Sequence, residues 1–175
     1  MEYFGQQLVA FRSESGAIRV LDGYCPHLGA HLGYGGTVQG ESIVCPFHSW
    51  RFNGAGQCVE IPYCDGEIPV KASLRAWTTC EVNNLVFLWH DWAGGAPDYE
   101  IPVIEELGAS GWTDWNSSVL EIATHPKEIV ENVVDKAHFS PVHRTKVVSF
   151  ANDFDGHRAT QKLSLIHISE PTRPY

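Results

Sequence analysis

The chain has 175 residues, 43% of them hydrophobic, and a net charge of -9 at neutral pH. That length holds one ordinary domain, or a small domain and part of another, and the acidic balance argues against a nucleic-acid partner, which needs a basic surface to displace counterions. No apolar run approaches the roughly 20 residues of a membrane span, and the first residues lack a basic-then-apolar export signal, so the chain reads as soluble and cytoplasmic.

In chain order, Leu8-Val9-Ala10-Phe11 and Ala17-Ile18-Arg19-Val20-Leu21 flank Ser13-Glu14-Ser15-Gly16, the pattern of a β-hairpin. Cys25-Pro26-His27 comes next, followed by Thr37-Val38 and Ser42-Ile43-Val44 about a Gly40-Glu41 turn, and then by Cys45-Pro46-Phe47-His48. Trp50-Arg51-Phe52 runs into the tight-turn dipeptide Asn53-Gly54, and Gln57-Cys58-Val59-Glu60-Ile61 resumes an extended strand. Further strands are expected at residues 74–77, 79–82 and 85–90. Many short strands at regular spacing predict a small antiparallel β domain.

The chemistry concentrates in the two Cys-Pro loops. Cys25-x-His27 and Cys45-x-x-His48 are separated by 17 residues, and each loop offers one thiolate and one imidazole. If the loops straddle two metals, one metal takes two Cys and the other two His, which is the ligand set of a Rieske 2Fe-2S centre. Gly29, Gly33, Gly35, Gly36 and Gly40 suit turns in which backbone N-H groups approach sulfur, and Tyr24, Phe47 and Trp50 are candidates to shield the site. A structural zinc site usually pairs two Cys and then two His, whereas this chain alternates them. Unrelated buried thiols and histidines are the bland alternative. Of the five cysteines, Cys58, Cys64 and Cys80 remain, and they read as small buried residues.

A domain boundary is expected around residues 91–102, where Gly94-Gly95-Ala96-Pro97 changes the composition. Ser118 to Ala123 reads as a strand. Thr124-His125-Pro126 signals a helix start, with Glu128 near the positive end of the dipole. The helix is expected to continue to about Phe139, with Ile129, Val130, Val133, Val134 and Ala137 as its buried face and Asn132, Asp135 and His138 as a polar stripe. Pro141 is expected to end it, with His143 just beyond. A polar stripe is commonly just a solvated face. Here His138 and His143 offer two of the ligands of a 2-His-1-carboxylate Fe(II) centre, and Asp135 can orient a ligand imidazole.

Taken together, Cys25-x-His27, Cys45-x-x-His48 and Asn132-Val-Val-Asp135-Lys-Ala-His138-Phe-Ser-Pro-Val-His143 resemble the catalytic subunit of a Rieske non-haem iron oxygenase. Leu21-Asp-Gly-Tyr-Cys25-Pro-His27, Trp77-Thr-Thr and Leu88-Trp-His-Asp91 are most similar to its ketosteroid 9-alpha-hydroxylase branch. The resemblance implies a mainly β fold, in which a small antiparallel Rieske domain (residues 1–98) precedes the start of an α+β helix-grip catalytic domain (99–162). It assigns Cys25 and Cys45 to one cluster iron, His27 and His48 to the other, and His138 and His143 to a mononuclear Fe(II). Asp135 matches the acidic residue that links this second site to a cluster histidine of the neighbouring subunit in a trimer. An NAD(P)H-dependent reductase or ferredoxin would supply electrons, and O2 would be inserted into a hydrophobic substrate, steroid-like or aromatic.

The resemblance also implies departures. The family's third iron ligand, a downstream carboxylate, has no counterpart here, since Asp153 and Asp155 lie too close to His143 and read as turn formers beside Gly156. Sequence is expected to be missing at both ends, and residues 163–175 resemble adapter read-through, a non-native tail. The alternative function is a Rieske ferredoxin, an electron carrier with no use for His138 and His143. A respiratory-complex Rieske protein would carry a disulfide at positions that look like Ala30 and Phe47.

Overall fold

The computed structural model of the chain describes residues 1–167. It separates into two compact units, Met1 to Asp114 and the residues from Trp115 onward. The division falls later than the boundary read from composition.

In the first unit, β1 (Glu2–Tyr3), β2 (Gln6–Arg12), β3 (Ile18–Asp22) and β8 (Ala76–Trp77) form an antiparallel sheet in the order β1-β2-β3-β8. A second sheet joins β4 (Thr37–Gln39), β5 (Ser42–Val44), β6 (Arg51–Asn53) and β7 (Cys58–Glu60) in chain order. A separate hairpin pairs β9 (Thr79–Val82) with β10 (Leu85–Leu88). The small antiparallel β domain expected from the strand spacing is present.

Side chains alternate across a strand, and that alternation splits the apolar residues into two cores. Val9, Phe11 and Leu21 point into a cluster with Leu32, Ile43 and Phe52, while Leu8 and Val20 pack on Trp77. The indole N-H of Trp77 donates to Asp22 at 2.9 Å and the Arg75 guanidinium lies 4.0 Å above its ring, which ties β8 to the end of β3. Cys25 and Cys45 belong to the larger cluster, each 2% exposed. The loops between strands are therefore part of the core. Gly36 is required between them, because a Cβ there would sit 2.1 Å from the Leu32 carbonyl oxygen.

The second unit holds α1 (Pro126–Val134), α2 (Phe139–His143), β11 (Thr145–Asp155) and β12 (Arg158–His167), the last two paired as a long hairpin. Helix α1 begins where expected, with Pro126 in its first turn and His125 as the cap, its Nδ1 accepting the Lys127 N-H at 3.1 Å. It ends earlier than expected. The Asp135 side chain accepts the Ala137 N-H at 2.8 Å, and this local bond competes with the helical ladder and turns the chain out after Val134. Asp135 and His138 are thus not on a shared helical stripe with Asn132. Pro141 does not stop a helix but sits inside α2, in a first turn where its missing N-H costs nothing.

Four further expectations are corrected. Ile129, Val130, Val133, Val134 and Ala137 are exposed, since nothing among the described residues covers that face of α1. Residues 118–123 are not a strand, because no described segment offers them a ladder. Cys64 and Cys80 are exposed and Cys58 is half-buried, all as free thiols. Asp153 lies within β11 opposite Thr160 and pairs with Lys162 at 2.8 Å, while the turn itself is Gly156-His157. Of the proposed tail, residues 163–167 are the end of β12 and 168–175 lie outside the described residues. No helix among the described residues is long and apolar enough to cross a membrane.

Phe52 is fully buried beside both cluster-loop cysteines. Phe52→Ala is expected to lower stability by about 3–5 kcal/mol, read as a fall in the urea midpoint. An unchanged midpoint would show that this core does not hold the unit together.

Candidate metal centres

The two Cys-Pro loops have the same backbone construction. In the first, the Cys25 carbonyl accepts the Gly29 N-H at 2.9 Å and the Cys25 N-H donates to Ala30 O at 2.8 Å. In the second, the Cys45 carbonyl accepts the Ser49 N-H at 3.1 Å and the Cys45 N-H donates to Trp50 O at 2.8 Å. The residue four after each cysteine is left-handed, Gly29 at φ 74° and Ser49 at φ 59°. Glycine adopts that conformation freely, whereas serine is strained in it. The histidine falls two residues after the first cysteine and three after the second, so equivalent loops present their imidazoles from different positions.

Those imidazoles meet. The rings of His27 and His48 lie 4.8 Å apart at 67°. His27 stacks face to face on Trp50 at 4.6 Å and 5°, and Phe47 covers His48 at 3.9 Å. Tyr24 and Phe47, read as shields, are more than half exposed, so Trp50 does most of the covering. Residues 25, 27, 45 and 48 thus resolve into a thiol pair in the core and an imidazole pair nearer the surface. Among the described residues, no group of three or more His, Cys, Asp or Glu is placed to hold a metal ion. Two thiols and two imidazoles are the donor set of a two-iron cluster.

Two observations test whether a two-iron cluster fits. Nδ1 of His48 is buried without a hydrogen-bond partner, a costly state that a metal bond would relieve. Burial pushes the Cys25 thiol up to about 11, opposed by the His27 backbone N-H and reinforced by the adjacent Cys45 sulfur. A thiol raised by burial keeps its proton unless a cation compensates, as a thiolate-ligated metal does. The donor set and the orphaned nitrogen fit the group.

In the second unit, His138 precedes α2 and His143 ends it, with ring centroids 5.2 Å apart at 70°. Nδ1 of His138 is buried and lies 3.4 Å from Asp135 Oδ2, close enough for ion pairing but without hydrogen-bond geometry. The turn is anchored by Thr145, almost fully buried, whose hydroxyl donates to Phe139 O at 3.1 Å. Neither Thr145 nor Tyr63, which bonds Trp50, stood out in the sequence, since both act through contacts across chain distance.

Comparison with known proteins also divides the chain in two, but earlier than the structure does. Residues 1–82 match the Rieske 2Fe-2S domain, and residues 88–172 match the 3-ketosteroid 9alpha-hydroxylase C-terminal domain. The 3-ketosteroid-9-alpha-monooxygenase oxygenase component of Rhodococcus rhodochrous is 47% identical over 93% of this chain and 42% of that protein. That of Mycobacterium tuberculosis (strain ATCC 25618 / H37Rv) is 42% identical over 93% of this chain and 42% of its own length. The chain thus spans about two fifths of the length of the curated relatives it matches. Among solved structures, dicamba monooxygenase bound to 3,6-dichlorosalicylic acid superposes with a TM-score of 0.65 at 25% identity, covering 90% of this chain and 48% of that one.

With no metal bound, Cys25 at about 11 carries roughly two orders of magnitude less thiolate at pH 8 than an ordinary thiol. Iodoacetamide is therefore expected to modify the exposed Cys64 and Cys80 at least 100-fold faster than Cys25, by peptide mass mapping. Equal rates would contradict the burial of the thiol pair.

Proposed function

Because the chain belongs to the Rieske oxygenase family, we propose that it is part of the oxygenase component of a 3-ketosteroid 9α-hydroxylating monooxygenase. The protein is cytoplasmic in this reading, its electrons come from an NAD(P)H-dependent reductase or ferredoxin, and its substrate is a hydrophobic molecule of the steroid class. The observation that carries this reading is the presence, in one chain, of the Cys25, His27, Cys45 and His48 loops together with the His138 and His143 pair. An electron carrier has no use for the second imidazole pair.

In this reading Cys25 and Cys45 hold one cluster iron, His27 and His48 hold the other, and His138 and His143 hold a mononuclear Fe(II) whose third ligand is a carboxylate from elsewhere. The cluster supplies electrons singly when bound, and the mononuclear iron supplies O2 chemistry. The chain's own part is positional. Burial of the two thiols keeps water from the sulfur side, and the Trp50 face fixes the plane of His27. Thr145 holds the α2 turn that spaces His138 from His143. Asp135, with one oxygen on the Ala137 N-H, keeps the other near His138 and, in a trimer, reaches a cluster histidine of the neighbouring subunit. In this reading the Rieske domain spans residues 1–98 and the start of the catalytic domain residues 99–162.

Two variants test it in the complete oxygenase. His138→Ala is expected to abolish Fe(II) retention and 9α-hydroxylation of a 3-ketosteroid while leaving the cluster spectrum intact. Asp135→Asn is expected to keep both metals and slow electron transfer between them by roughly 10- to 100-fold, read by single-turnover absorbance. Full hydroxylation by His138→Ala would overturn the assignment, and an unchanged transfer rate in Asp135→Asn would remove the bridge.

A further inference from the structure

Tyr63 lies beyond β7, outside both cluster loops, and its side chain is 60% exposed. Even so, the Trp50 indole N-H donates to its hydroxyl at 2.6 Å. Trp50 in turn touches both loops. Its carbonyl accepts the Cys45 N-H and closes the second loop, while its ring backs His27 of the first at 4.6 Å and 5°. The Tyr63 ring also presents an edge to His48 at 6.5 Å. One exposed phenol is thus connected to both imidazoles.

We propose that Tyr63 is a positioning residue for the redox centre: its hydroxyl locks the Trp50 indole, and the locked indole fixes the plane and water exposure of His27. The inference rests on the assignment of His27 and His48 as cluster ligands. A half-buried indole N-H seeks an acceptor, and the observed Trp50 orientation gives it Tyr63 while keeping the ring flat against His27. Without that acceptor the ring is free to turn, water reaches the outer side of His27, and the imidazole samples several orientations. Outer groups of this kind set ligand orientation and solvent access, and with them the reduction potential. A tyrosine that served only to pack would matter through its ring, not its hydroxyl.

The test compares the unmodified chain, Tyr63→Phe, Trp50→Phe and the double variant, each loaded with iron and sulfide. Tyr63→Phe is expected to fold and to hold a full complement of cluster. It should broaden the EPR lines of the reduced protein and raise the reduction potential, because water favours the more negative reduced state. Bleaching by a chelator is expected to run roughly five-fold faster, the equivalent of one neutral hydrogen bond. Trp50→Phe should move the potential in the same direction, and the double variant no further than the larger single change, since both substitutions break one link. Unmodified linewidth and potential in Tyr63→Phe, whether or not its melting temperature falls, would overturn the inference while leaving the ligand assignment intact. So would additive shifts in the double variant. A complete absence of a Rieske-type spectrum in the unmodified chain would overturn both.

Discussion

Cys25 and Cys45 are buried in the same apolar cluster as Leu21, Ile43 and Phe52. A thiolate is expensive there, and burial raises the Cys25 thiol accordingly. The arrangement makes sense when the charge is shared with a cation, so the core that stabilises the β domain also selects what its loops bind. Each cysteine is held by the same pair of backbone hydrogen bonds, to residues four and five further on. The two sheets supply the spacing: β3 leads into the first loop, and β5 and β6 flank the second.

Placing the sulfurs inward leaves the imidazoles outward, where His27 and His48 approach each other under Trp50 and Phe47. The division between a dry sulfur side and a more accessible nitrogen side follows from loop geometry alone. Ser49 carries the strain of the second loop, adopting the left-handed turn that glycine takes without cost in the first. Strain at this point is consistent with a site whose shape is dictated by its ligand.

The ligand residues and the strands around them were legible in the sequence because both depend on short-range pattern. The Cys-Pro-His and Cys-Pro-x-His motifs are local, and so are the hairpin signals at Ser13 to Gly16 and at Asn53-Gly54. What was not legible depended on contacts the pattern does not carry. The early end of α1 turns on whether Asp135 bonds the Ala137 N-H or leaves it to the helix. The roles of Thr145 and Tyr63 arise from partners 6 and 13 residues away. The β11 and β12 hairpin has a local signal, the turn dipeptide Asp155-Gly156, but Asp153 and Asp155 read from sequence as turn formers rather than as strand residues. The exposed face of α1 shows the opposite failure, a correct amphipathic pattern with no described residue to cover it.

The central claim is that two loops of unequal Cys-to-His spacing place two sulfurs on one iron and two imidazole nitrogens on the other. Pulsed EPR of the reduced chain, prepared with natural-abundance and with nitrogen-15-labelled histidine, tests it most directly. The account predicts two strongly coupled histidine nitrogens, both exchanging isotope with the label, and one of them lost in His48→Cys. A cluster with no histidine coupling, or a preparation holding tetrahedral zinc and no iron, would contradict it.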